Sequence, residues 1–242
     1  GSIGMRIFRE SCAGPAANFL FPFNVFAMNI ALPTIGKEFS MDPFTLSWVS
    51  TGFLLASAIF LIPFGKLSDI VGRKKIFNYG LLIFAATSIP LALSNSPAML
   101  VLFRAIQGVG GAMYLGTLMA ILTGVYPIGE RGTAMGVNTM AVSIGISSGP
   151  FLGGILTQYL GWRSIFLVNV PVALLILALV LWKIKTDWKE AEGEKFDFKG
   201  FLLYAVIFVM VMYGITILPS LTGIALVAAG ALLFPLFVKF EH

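Results

Sequence analysis

Arg104 and Gln107 lie three positions apart inside the apolar run "PAMLVLFRAIQGVGGAMYL", and three amides, Asn24, Asn29 and Asn138, interrupt similar runs. A charged side chain at the centre of a membrane helix costs about 2.5–3.5 kcal/mol or more, so each such polar group is a candidate ligand or coupling contact. A guanidinium keeps its charge in hydrocarbon and demands an anion or several neutral acceptors. Gln107 follows Arg104 by one turn and shares its face. Two readings stand for Arg104: a snorkelling or helix-tying residue hydrogen-bonded to carbonyls, or a substrate or coupling site. The 11 Asp and Glu all fall in or beside polar segments, the one His is His242 and the one Cys is Cys12. No internal disulfide or cysteine metal cluster is available, and no intramembrane acid or imidazole can carry a proton. Neither metal, cofactor nor enzymatic chemistry is expected.

The elements that position these groups follow from composition. With 58% hydrophobic and 11% charged residues and a mean hydropathy of +0.93, the chain belongs in a bilayer. A crossing needs about 20 helical residues. Runs of that order are Gly14–Ile35, Thr45–Phe64, Ile76–Leu93, Pro97–Leu122, Thr133–Tyr159, Ser164–Trp182, Phe201–Leu218 and Thr222–Phe240. None alternates with period two, so strands are not expected. With both termini cytoplasmic, only Lys37 and Arg163 fall outside and Arg104 within a span, the other 13 of the 16 cations lying inside. That asymmetry fixes the orientation, and it accounts for the +5 charge without a nucleic-acid partner. The expected protein is an integral, multi-pass, all-α membrane protein, monomeric in the lipid bilayer. Residues 1–182 form a six-helix unit, 183–200 a charge-balanced cytoplasmic linker with an interfacial helical piece, and 201–242 two further transmembrane helices.

An internal repeat ties charge to topology. "GKLSDIVGRKKIF" lies over "GILTQYLGWRSIF", with Gly65 on Gly154, Leu67 on Leu156, Gly72 on Gly161, Ile76 on Ile165 and Phe77 on Phe166. Three helices separate the copies, so they face opposite sides of the membrane, as in the 3+3 inverted repeats of secondary transporters. Asp69 becomes Gln158, and Arg73-Lys74-Lys75 becomes Trp162-Arg163-Ser164, the Trp suited to an outer interfacial belt. Gly108, Gly110 and Gly111, and Gly145, Gly149 and Gly153 at a spacing of four, read as close-packing faces. Pro150 is expected to bend its helix. Phe19, Phe21, Phe23, Phe26, Met28, Met113 and Tyr114 either line a pocket for an apolar substrate or face lipid and neighbouring helices.

These motifs together resemble a family. "GKLSDIVGRKK" resembles the loop 2–3 signature of the major facilitator superfamily, carried here by Gly65, Asp69, Gly72, Arg73 and Lys74. "RAIQGVGGA" resembles its helix-four motif. "GISSGPFLGG", with Gly145, Gly149, Pro150, Gly153 and Gly154, resembles its antiporter-type helix-five motif. "GWRSIFLVNVP", "FDFKG" and the added helix pair resemble the 14-helix drug/proton antiporter branch. The resemblance implies alternating access between two six-helix halves, a small-molecule substrate, protons as a potential coupling partner, and a cytoplasmic gate made by Asp69 and Arg73. It also implies a C-terminal six-helix half that is absent here, so these residues alone are not expected to transport. Two positions depart from the pattern. Asn24 stands where the branch usually has Asp, and an amide cannot release and rebind a proton; Ile70 stands where a cation is usual. Three readings remain: an exporter of amphipathic or drug-like molecules, an organic-anion carrier using Arg104, and a non-transporting truncated membrane protein.

Overall fold

A computed structural model describes residues 13–125, 129–183, 187 and 196–241. Every regular element among them is a helix: α1 Ala13–Glu38, α2 Pro43–Val71, α3 Arg73–Ala92, α4 Pro97–Val125, α5 Arg131–Leu160, α6 Arg163–Lys183, α7 Phe198–Thr216 and α8 Leu221–Glu241. Each overlaps one expected apolar run. Seven are long and apolar enough to cross a membrane by length and composition, while α8 carries a shorter apolar stretch, Leu221–Pro235. Residues 1–12 and most of the expected linker, with its interfacial helical piece, lie outside the described residues.

The charged stretch at 65–75, which lies between two expected apolar runs and resembles a loop signature, is nearly all helix. Gly65–Val71 forms the last turns of α2, Gly72 alone is the joint, and Arg73 opens α3. The second copy is built alike: α5 ends at Leu160, Gly161 turns the chain, and α6 starts at Arg163. Gly72 has φ 132° and Gly161 has φ 81°, the only positive-φ glycines among the described residues. Backbone of that kind is open to glycine and strained for a side chain. The sequence alignment of the repeat therefore superposes its two obligatory joints.

Helix pairing carries the same symmetry. The broadest packings are α2 along α4 and α5 along α1; α3 lies on α4 and α6, and α6 on α1. Exchanging α1–α3 with α4–α6 maps this set onto itself, as a two-fold axis in the membrane plane requires. Both broad packings depend on missing side chains. A Cβ at Gly145, Gly149 or Gly153 would meet Phe19, Phe26 or Ala27 of α1, and one at Gly116 would meet the Leu61 carbonyl of α2. Backbones approach this closely where small residues line the contact. Pro150 sits within the unbroken run of α5.

Two apolar clusters fill the bundle. One gathers Leu20, Phe53, Phe77, Phe84 and Tyr114, the other Phe23, Met28, Ile35, Val49, Trp162 and Phe166. Outward faces carry exposed Ile and Leu, such as Ile62 and Leu175, which suits hydrocarbon surroundings. α7 and α8 pack on each other and reach the bundle along α2, with Phe60 and Phe201 rings 5.4 Å apart.

Asp42 caps α2 by accepting the Thr45 N–H at 2.9 Å. That bond holds its carboxyl below the usual 3.8. The cap's contribution is present at neutral pH and fades as pH falls through the lowered value. Neighbouring glycines test the packing. Gly153→Ala places a methyl 2.6 Å from the Ala27 Cα, whereas the nearest atom to a Gly154 Cβ is 3.9 Å away. Thermal unfolding in detergent is expected to show Gly153→Ala destabilised by about 1–3 kcal/mol and Gly154→Ala changed by less than about 0.5 kcal/mol.

Candidate functional site

Arg104 enters the bundle from α4 with no exposed surface. Its Nε donates to the Val49 carbonyl of α2 at 3.1 Å, and one terminal nitrogen donates to Asn24 Oδ1 of α1 at 2.5 Å and to Gln107 Oε1 at 2.8 Å. Gln107 then donates to Ser88 Oγ of α3 at 2.8 Å, and Ser88 to the Phe84 carbonyl. The guanidinium lies 4.1 Å from the Phe53 ring centre and 6.0 Å from that of Phe166. Those rings belong to the two different apolar clusters, so a polar layer separates them. Three elements are tied directly and a fourth through Gln107. All of the acceptors are neutral; the charge is met by dipoles and π faces instead of a carboxylate.

The other amides are elsewhere. Asn138 is buried and accepts a hydrogen bond from Asn18 Nδ2, linking α5 to α1. Asn29 is exposed and accepts from Ser50 Oγ at 2.9 Å. The five polar candidates thus divide into three groups, of which Arg104, Gln107 and Asn24 are one. Asn18 carried the same signal as its partner, an amide inside an apolar run. Of the candidate lining side chains, Phe23, Met28, Met113 and Tyr114 are buried core. No three His, Cys, Asp or Glu side chains converge on a metal position among the described residues.

The two glycine joints are pinned differently. At Gly72, Asp69 Oδ1 meets Arg73 Nε at 2.7 Å across the joint, with Arg73 buried. Asp187 accepts the Lys74 N–H at 2.9 Å and lies where a Gly72 Cβ would point. A linker acid therefore caps α3, a role hidden in the sequence by its balanced charges. At Gly161, Trp162 is only 2% exposed, which corrects the interfacial-belt expectation. Its Nε1–H donates to Glu38 Oε2 at 2.6 Å, Glu38 Oε1 pairs with Arg163 at 2.8 Å, and Arg163 donates to the Ser94 carbonyl at 3.0 Å. Arg163 also lies over the Trp162 ring at 4.2 Å. The ends of α1, α3 and α5 are clasped together there.

One face of α5 stays open. With its glycines turned to α1, the opposite side presents Met140, Ser143, Ile144, Ser147, Ser148 and Phe151 around a shallow groove. Hydroxyls and apolar groups alternate on it.

Residues 16–241 match the Major Facilitator Superfamily. The chain belongs to that family. Curated relatives place this facilitator in the drug-efflux branch. It is 33% identical over 232 residues to the drug efflux pump JefA of Mycobacterium tuberculosis, covering 93% of this chain and 45% of the relative. It is 32% identical over 217 residues to the tetracenomycin C resistance and export protein of Streptomyces glaucescens, covering 88% and 40%. It is 33% identical over 178 residues to the riboflavin transporter RibZ of Clostridioides difficile, covering 74% and 39%. The facilitator spans less than half the length of these relatives. A crystal structure of the peptide transporter POT with alafosfalin superposes with a TM-score of 0.68 at 18% identity, covering 85% of this chain and 49% of that one.

The Arg104 layer yields a paired prediction. Arg104→Leu leaves the Asn24 and Gln107 oxygens without their donor and is expected to cost on the order of 3 kcal/mol in detergent melts; Arg104→Lys does not restore it, since one ammonium cannot reproduce the planar fork. Asn24→Asp is expected to raise the melting temperature by giving the buried cation a counter-charge; a lowered value would mean that the charge is already fully compensated.

Proposed function

We propose that this facilitator is the N-terminal bundle of an exporter of small amphipathic or drug-like molecules, working by alternating access against a second six-helix bundle. The open α5 face carries this reading. Ser143 and Ser147 are exposed there beside Met140, Ile144 and Phe151, and membrane helices turn polar groups to protein or to a water-lined cavity in preference to lipid. A surface mixing hydroxyls with apolar and sulfur side chains suits amphipathic substrates. Relatives named for export of tetracenomycin C and for drug efflux support the direction.

The remaining assignments follow. Arg104, Gln107 and Asn24 act as an internal tie, because the guanidinium has no surface to offer a substrate anion; this argues against the anion-carrier reading. Asn138 serves as a second tie, and Asn29, exposed, stays the candidate for direct contact with a substrate or second bundle. Asp69 and Arg73 stabilise the Gly72 joint as one side of a cytoplasmic gate, that end being inside by its cluster of cations. The chain divides at 183–200 into a six-helix bundle and a helix pair. Proton coupling through α1 is not part of the proposal, because Asn24 does not titrate.

Accessibility tests the open face. In a Cys12→Ser background, membrane-impermeant maleimide is expected to label Ser143→Cys and Ser147→Cys in native membranes, and not Leu175→Cys on the apolar outer side of α6. Failure of both serine positions to react, or equal reactivity at Leu175→Cys, would remove the water-lined face on which the reading rests.

A further inference from the structure

The seam between α2 and the start of α7 forms a half-open cavity of about 170 Å³, whose lining includes Ile62, Pro63, Lys66, Asp197, Phe201 and Tyr204. Drug-sized sites occupy about 300–1,000 Å³, so this space admits a narrower guest. Its chemistry is divided. Phe201 packs 5.4 Å from Phe60 and 6.1 Å from Phe196, making an aromatic wall. Ile62, 68% exposed, opens that wall to the lipid side. At the polar end, Lys66 is exposed, and among the described residues no hydrogen bond or ion pair engages its ammonium. The one acid in the lining, Asp197, is committed to the helix: its Oδ1 accepts the Gly200 N–H at 3.0 Å and caps α7.

We propose that this seam binds an anionic phospholipid, with its phosphate on Lys66 and the upper part of one acyl chain against Phe201 and Ile62. Lys66 follows Ile62 by one turn and opens the charged stretch that ends α2, the kind of cation cluster that sits at a membrane's headgroup side. A cation without a protein partner attracts an anion there. An acyl chain would fill the seam where α7 meets the bundle along α2. The bound lipid would cement the helix pair to the six-helix unit, independently of what the protein transports.

The test uses the full chain in phosphatidylcholine nanodiscs doped with a phosphatidylglycerol or a phosphatidylcholine carrying the same photoreactive acyl chain. After irradiation, adducts are mapped by peptide mass spectrometry. Phosphatidylglycerol adducts are expected at residues 60–66 and 196–204 at about fivefold the phosphatidylcholine level, the preference one Lys confers on an anionic lipid. Lys66→Glu is expected to abolish that excess while leaving adducts elsewhere on the belt unchanged. Equal labelling by both lipids in the wild-type chain, which needs no variant to fold, would overturn the proposal. So would an excess that survives Lys66→Glu, or one eliminated by millimolar inorganic phosphate, which would identify a site for free phosphate.

Discussion

A cation with no carboxylate partner among the described residues lies at the centre of this bundle. Arg104 is wholly buried, and an ion in a low-dielectric interior is tolerated only where its donors are met and its charge is solvated by fixed dipoles. The acceptors come from α1, α2 and α4, and the Gln107 relay brings in α3. No single helix could supply that set. The requirement therefore acts on tertiary structure: unless α1, α2 and α4 converge at this depth, the guanidinium is left short. The layer gives the packing a specificity that two apolar clusters alone, which slide readily past each other, would not provide.

Convergence in turn depends on how closely the backbones approach. Hydrocarbon surroundings remove the usual hydrophobic drive between helices, so association rests on packing and on polar links. The glycine faces of α4 and α5 supply the first, with α1 and α2 seated where side chains would otherwise stand. The buried amides supply the second. α1 participates in both: Phe19 to Ala27 lie under the α5 glycines while Asn24 and Asn18 reach α4 and α5. Its far end, through Glu38, then holds Trp162 and Arg163 at the Gly161 joint. Displacing α1 would disturb all three contacts together.

Much of this was legible in the sequence, for definite reasons. Membrane helices announce themselves by length and apolarity, so all eight elements were visible. The glycine spacing of four in α5 predicted a packing face correctly, because only one geometry places those positions in line. What composition could not reveal was the partner of each polar group. Asn29 and Asn138 look alike in the chain, yet one is exposed with Ser50 and the other buried with Asn18. Trp162 read as an interfacial side chain, but its indole N–H has a carboxylate partner 124 residues away in sequence. Asp187 was indistinguishable from the acids around it until its contact with the α3 N-terminus appeared. α2 runs on to Val71, past its expected end at Phe64, because Lys66 and Asp69 break an apolar run without breaking a helix.

The two joints show how one backbone solution serves two chemical settings. Gly72 and Gly161 both turn the chain with positive φ, and both follow a long helix whose next element must start at once. At Gly72 the pins are an Asp–Arg pair within four residues and a linker carboxylate on the Lys74 amide. At Gly161 they are a carboxylate from α1 and a carbonyl from α3, reached by Trp162 and Arg163. The first joint's restraints include a pair within its own stretch and a carboxylate from the segment leading to the helix pair. The second is fastened to the ends of two other helices of the bundle. The Gly161 joint therefore ties α1 and α3 to the turn between α5 and α6, while the Asp187 contact ties the Gly72 joint to the segment that leads to the helix pair.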